Sequence, residues 1–375
     1  MTAVIHFPCS RYAEGMDIAQ VSAARMISSG LVGACGDDPA EVVRRLACMQ
    51  AQALPGALVS MALRTASQSL PAVRAAIEDG RIVRTWTQRG TLHFAAAEDV
   101  GGILALTAPR LLKAQADRRA HFGVSEPMLE QAAELAETAI SARGPLSRDD
   151  LLAEFAPLLE GVAEADAYGR QRYLLTTLSM QGLLVQSGFT ADGQEMSYAL
   201  RDRSADAAID TEAALRQWLR RYVESHGPVT VDDAARWTGL PKTPVRAALR
   251  ALTDEGAIVT ATIDEREHVQ APDLDDRLGE CEAASGTLML LPGFDELILG
   301  YKDRSQTLAP AHEKSVVPGG NGMFKNTVID GTRARGTWKR SPRKTGPRVI
   351  IEPFTGETVD LARAEAAALT HPAFG

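Results

Sequence analysis

Two side-chain amides flanking one small residue, Gln50-Ala51-Gln52, are the grouping in this sequence whose chemistry is most suggestive. A carboxamide donates and accepts hydrogen bonds but takes no proton near neutral pH, so the pair can hold one water between them without acting as acid or base. The pattern is too short to carry a function alone, and two solvated glutamines at a helix end are its plain structural reading. Asp295 and Glu296 form a second candidate, since adjacent carboxylates can divide acid and base roles. They fall in a run that reads as a strand, where neighbours point to opposite faces, so a structural role is expected, with Arg304 as ion-pair partner. The seven histidines and the four cysteines (Cys9, Cys35, Cys48, Cys281) show neither metal-ligand nor disulfide spacing. No metal site and no cofactor are expected, and the thiols read as reduced.

The elements that must position these groups follow a recurring order. Residues 1–15 read as an extended arm, and 18–31 as a helix with Val21, Met26 and Ile27 on one face, stopped near Gly33 and Gly36. Asp37 and Asp38 cap a helix over 38–49, which places the glutamines between its end and the breaker pair Pro55-Gly56. Helices over 57–64 and 71–79 follow, the second opened by Pro71 and closed by Gly80. Runs 82–86 and 91–94, joined by Thr87-Gln88-Arg89-Gly90, read as a hairpin. Helices followed by such a hairpin make a winged helix. The order returns with helices over 126–142, from the Ser147 cap to 155, and 170–180, then strands over 183–187 and 196–200. It returns again from Thr211, with Thr230 capping a helix to Trp237, Pro241 opening the next through 254, and a strand over 258–263. The repeat is visible in letters, since GPLSRDDLL from Gly144 matches GPVTVDDAA from Gly227. Beyond 265 the chain reads as strands over 287–291, 294–300, 323–329, 335–339 and 349–352, with a turn at Asp330-Gly331 and a closing helix over 359–369. The expected fold is α+β and mainly helical, with three tandem winged-helix units over 1–125, 126–208 and 209–265 and a small β-rich C-terminal module over 266–375. An all-helical array with incidental hairpins is the bland alternative.

A chain of 375 residues, 45% apolar, suits two or three domains with real cores. No apolar run approaches membrane-spanning length and no secretory leader is apparent, so a cytoplasmic protein is expected. The formal net charge of −8 runs against nucleic-acid binding, yet it is unevenly spread. Between Lys325 and Arg348 eight basic residues stand against one acid, Asp330, a segment of +7 that leaves −15 for the remainder. One cationic face on an acidic body is the expectation; a flexible solvated loop is the alternative.

Several separated markers resemble the AlkZ-like winged-helix DNA glycosylases, which include the AlkX/YcaQ branch. They are LACMQAQ from Leu46, TQRGTLH from Thr87, LPGFDELILGYKDRS from Leu291, NGMF from Asn321 and GTWKR from Gly336. The likeness spans most of the chain. It implies three winged helices curved around duplex DNA, excision of alkylated purines, and catalysis by a Gln, an apolar residue, then Gln or Asp. Gln50 and Gln52 occupy those positions and place the chain with the Gln-Gln branch. Gly293 departs from the pattern, which leads one to expect a second proline there.

Under that resemblance two neutral amides suffice only for a substrate already activated. An N7-alkylguanine is cationic and leaves as a neutral base, so what remains is placing a water at C1′. Tolerance of bulky N7 adducts and interstrand crosslinks is also implied. The expected partner is double-stranded DNA containing alkylated bases, engaged by a monomer. Arg84, Arg89 and His93 in or beside the first wing, and Arg333, Arg335, Lys339 and Arg340 in the cationic module, are the candidate DNA contacts. Two other readings stand beside this one: a non-enzymatic winged-helix regulator, and a protein-interaction scaffold. The position of the +7 segment outside the presumed recognition helices counts against the regulator, and steep salt dependence of DNA binding would count against the scaffold.

Overall fold

The computed structural model describes residues 16–33, 36–279, 286–320, 322–343 and 345–374. The N-terminal arm, Cys9, Cys35, Cys281, Asn321 and Lys344 lie outside the described residues.

Polar residues at helix starts cap their own elements. Asp38 accepts from Ala40 N, Ser147 from Asp150 N, and Thr230 forms a reciprocal capping box with Asp233, as the sequence implies. The first of these helices is shorter than its periodicity suggests. Pro39–Arg45 ends where Ala47 adopts φ 65°, and Met49–Gln50 continues as strand β1. Gln50 is therefore a strand residue rather than the tail of a helix.

Helices Leu54–Ala62 and Leu70–Glu78 lead into β2 (Ile82–Trp86) and β3 (Leu92–Ala96). The same order recurs in Glu126–Arg143, Arg148–Glu154 and Glu164–Met180 with β4 (Leu184–Phe189) and β5 (Met196–Leu200). It recurs in Thr211–His226, Val231–Thr238 and Lys242–Asp254 with β6 (Val259–Ile263) and β7 (Arg266–Gln270). In each set a short segment after the first helix pairs with the second hairpin strand: β1 with β3, Leu146 with Tyr198, Val229 with Val269. The third hairpin turns at Asp264 and Glu265, both at positive φ, so the boundary expected at 265 falls within it.

The first two hairpins are not separate. Arg84 pairs with Gln186 across β2 and β4, fusing them into one five-stranded sheet ordered β1-β3-β2-β4-β5. Residues 97–121, to which no periodicity assigns an element, hold helices Val100–Ala114 and Ala116–His121. Gly101, Gly102 and Pro109 disguise the first on propensity grounds. The glycines are there for approach: a Cβ on Gly101 would come within 2.8 Å of Asp206 Oδ1. This helix joins the first and third sets through one core that includes Ile103, Leu104, Trp218, Tyr222 and Trp237.

The C-terminal part is an antiparallel sheet of β8 (Leu288–Leu291), β9 (Thr327–Asp330), β10 (Arg333–Arg340) and β11 (Val349–Pro353), backed by helix Leu361–Thr370. Residues 294–300 do not form the expected strand. Asp295 caps a short helix, Glu296–Leu299, by accepting from Leu297 N at 3.0 Å. No described helix is long and apolar enough to cross a membrane.

Candidate active site

Gln50, His93 and Thr85 stand opposite one another across β1, β3 and β2, and directly opposed residues share a sheet face. Gln50 is only 8% exposed, and its side-chain oxygen is buried without a hydrogen-bond partner among the described residues. The Thr85 hydroxyl, on the far side of His93, is likewise buried and unpaired among the described residues. Gln52 is exposed, and its side-chain oxygen accepts from Leu92 N at 3.3 Å. The two amides thus straddle the boundary between interior and surface.

The strand that carries them is clamped from two sides. Glu296 is 1% exposed, and its Oε1 accepts from Gln50 N at 2.9 Å. Its Oε2 accepts from Trp237 Nε1 at 3.1 Å and lies 3.4 Å from His226 Nε2. Burial alone would raise the carboxyl pKa, but His226, the Gln50 N–H and the Arg89 charge together bring it down to about 2. On the other side Arg84 donates Nε to the Ala51 carbonyl at 2.9 Å, Nη2 to the Gln52 carbonyl at 3.4 Å and Nη1 to Gln186 Oε1 at 2.7 Å. All three acceptors are neutral, and burial lowers the Arg84 pKa to about 10.

Arg89 and His93 do not present themselves to a surface as wing residues would. Arg89 sits at φ 58° in the turn and folds inward to donate to the Trp237 carbonyl of the third set. Its Nη2 also donates to His93 Nε2 at 3.3 Å. His93 Nδ1, 2.9 Å from the Thr91 carbonyl, is then the protonated nitrogen of a neutral ring. Full burial, then the Arg89 charge, push the His93 pKa down to about 3. This inward placement has one physical reason: the turn is covered by Trp237 and Gly239 instead of projecting into solvent.

Asp295 is paired, but not with Arg304. Arg64, wholly buried, donates to both Asp295 oxygens at 2.9 Å, and Ser60 Oγ donates at 2.6 Å. Arg304 instead binds the Ile298 carbonyl and Glu313. Asp295 therefore holds Ser60 and Arg64 at the end of the following helix while Glu296 holds the glutamine strand itself, and the two share no partner. Sequence reasoning missed Glu296 as a support of Gln50 because the two lie 246 positions apart. Gly293 earns its place nearby: its N–H donates to Asn326 Oδ1 at 2.7 Å, a bond that proline has no hydrogen to make. Cys48, the one cysteine among the described residues, is buried, which pushes its thiol pKa up.

The cationic segment is more neutralised than its composition suggests. Arg333 binds the Gln306 carbonyl at 3.0 Å, Arg335 pairs with Glu357, and Lys339 pairs with Glu352 at 2.9 Å. Arg340 donates to the Ala373 carbonyl at 3.3 Å beside Phe374. Arg343 and Arg348, in the exposed connection between β10 and β11, have no ion-pair partner among the described residues. Helix Leu54–Ala62, which begins two residues after Gln52, packs against residues 372–374. The root of the basic hairpin at Arg340 thereby borders the helix that follows the glutamines.

The family model described as DNA glycosylase AlkZ-like matches residues 43–372. A protein of Streptomyces sahachiroi named Interstrand DNA cross-link repair glycosylase is 26% identical over 343 residues, covering 89% of this chain and 90% of its own. The structure of Streptomyces sahachiroi DNA glycosylase AlkZ is similar with a TM-score of 0.76, over 96% of this chain and 97% of that chain at 23% identity, a likeness of fold. The matched span takes in the glutamine strand, its two clamps and the basic hairpin, and the chain belongs to the AlkZ-like family of DNA glycosylases, enzymes that hydrolyse N-glycosidic bonds.

Proposed function

We propose that this enzyme excises cationic N7-alkylated purines from duplex DNA, with Gln50 and Gln52 holding the water that attacks C1′. The unpartnered, buried side-chain oxygen of Gln50 carries the reading, because a buried acceptor is costly unless something binds it. As the water adds to C1′ the bond to N9 breaks, its electron pair neutralises the base, and the water's spare proton passes to solvent. The base needs no general acid, which is consistent with a site whose nearest carboxylate, Glu296, is occupied with the Gln50 backbone. Holding the water in place on clamped amides is worth several kcal/mol of barrier, on the order of a hundredfold for a 1 Å misplacement.

Each helix set with its short strand and hairpin is read as a winged helix, the third extending to Gln270. The repeated pairing of the short segment with the second hairpin strand supports that reading. Three fused units remove the usual need for a dimer, and the enzyme acts as a monomer. The relative named for interstrand cross-link repair supports extending the substrate range to bulky adducts.

Single-turnover release of 7-methylguanine from duplex DNA tests the site. Gln50→Ala and Gln52→Ala are expected to fold, to bind DNA, and to lose activity on the order of 100-fold. The reading fails if the wild type binds DNA but releases no base from this or a bulkier N7 adduct.

A further inference from the structure

A cleft of about 340 Å³ opens beside Gln52 at the seam where β2 meets β4. Its ionisable lining is lopsided: Arg84, Arg148 and Arg172 face it with Glu195 as the one carboxylate. Arg84 at its inner wall is 8% exposed and bonded only to neutral acceptors. Arg148, on the helix Arg148–Glu154, reaches Glu195 only at 3.7 Å and its neighbour Asp149 at 3.5 Å, beyond charge-assisted hydrogen-bond range. Arg172, on Glu164–Met180, is exposed, has no ion pair among the described residues, and lies 5.8 Å from the Tyr168 ring.

We propose that this cleft binds a DNA phosphodiester flanking the lesion, with Arg148 and Arg172 as its two outer ligands. The inference rests on the assignment of Gln52 to the attacking water, because Gln52 lies on the rim and the phosphate of a nucleotide held there is one sugar away. Charge sign selects the occupant. A net +2 wall repels a cationic alkylated base and attracts a phosphate, so the lesion base turns away from this cleft while its backbone turns toward it. Arg84 then serves both sides, holding the Ala51 and Gln52 carbonyls and supplying the charge behind the anion. Backbone grip by the second unit thus sets the register of the sugar against the first unit's glutamines.

The test uses the whole chain with Arg148→Gln, a half-buried residue whose side chain is 40% exposed, and Arg172→Gln, an exposed one, the fold of each checked by its thermal unfolding. Affinity for undamaged duplex is measured across salt concentrations, a readout that does not depend on base excision. Each variant should lower the slope of log affinity against log salt by about 0.9, the value for one lost phosphate. On a duplex holding one tetrahydrofuran abasic-site analogue, a single neutral methylphosphonate beside the analogue should weaken wild-type binding and leave the Arg172→Gln protein little changed. Wild-type slopes in both variants overturn the proposal, as does a methylphosphonate penalty that is equal in wild type and variant. Reduced slopes in a protein that excises nothing would leave the phosphate site standing and remove the glycosidic assignment of Gln52.

Discussion

Glu296 and His93 lie on either side of the Gln50 peptide, and both make the site acid-sensitive. His93 has a folded pKa near 3 against an ordinary 6.5, so the unfolded chain takes up a proton that the folded chain refuses once the pH drops below 6.5. Glu296, near 2 against 4.5, adds stability above 4.5 that is lost as the pH falls through its folded value. The two losses therefore run in sequence, 6.5 to 3 for His93 and 4.5 to 2 for Glu296. At pH 5 the histidine alone costs about 2 kcal/mol, since each tenfold change in proton binding is worth about 1.36 kcal/mol. Equilibrium unfolding at pH 7 and pH 5 should show the wild type losing about that much more than His93→Gln. Equal losses would mean that His93 is not held neutral in the fold.

At the scale of elements, the glutamines occupy a slot that the other two sets fill with structure alone. Leu146 and Val229 pair with the second strand of their hairpins as Met49 and Gln50 pair with β3. In the first set this sheet-closing segment carries amides and is covered by the turn at residues 295 and 296, where Glu296 accepts from Gln50 N. That cover depends on the Arg64–Asp295 pair, whose side chains are 0% and 1% exposed. Asp295→Ala leaves a guanidinium buried without its charge partner and should cost about 3–5 kcal/mol in urea unfolding. The joint replacement Arg64→Met with Asp295→Leu should cost clearly less than either single change. A double variant as unstable as the sum of the two singles would contradict the pairing.

For the molecule as a whole, net charge is a poor guide to where DNA contacts lie. In the +7 segment Arg335 and Lys339 spend their charge on Glu357 and Glu352, whereas Arg343 and Arg348 in the exposed β10–β11 connection have no ion-pair partner among the described residues. Arg343→Ser and Arg348→Ser should each reduce the salt slope of DNA binding by about one, whereas Lys339→Ser should reduce it by less. Filter or anisotropy titrations from low to high salt would check this. Identical slopes for all three variants would place the binding face elsewhere.

The sequence by itself determined the helix caps and the threefold order of helices and hairpins, and it singled out the glutamine pair that we propose as the chemical centre. Those features are local: Asp38, Ser147 and Thr230 cap residues two or three positions away, and hairpin strands are close neighbours in the chain. The likeness of the Gly144 and Gly227 segments was legible for the same reason. Tertiary structure alone decided what those local units face. Arg89 reads as a wing-turn residue facing the phosphate backbone until the third set closes over it, and residues 294–300 read as a strand because an apolar run does not declare its period. The two clamps on the glutamine strand come from residues 32 to 246 positions away. Such contacts leave no mark in local spacing, because burial and hydrogen bonding depend on which surfaces meet, and that is settled only when the three sets and the C-terminal sheet pack together.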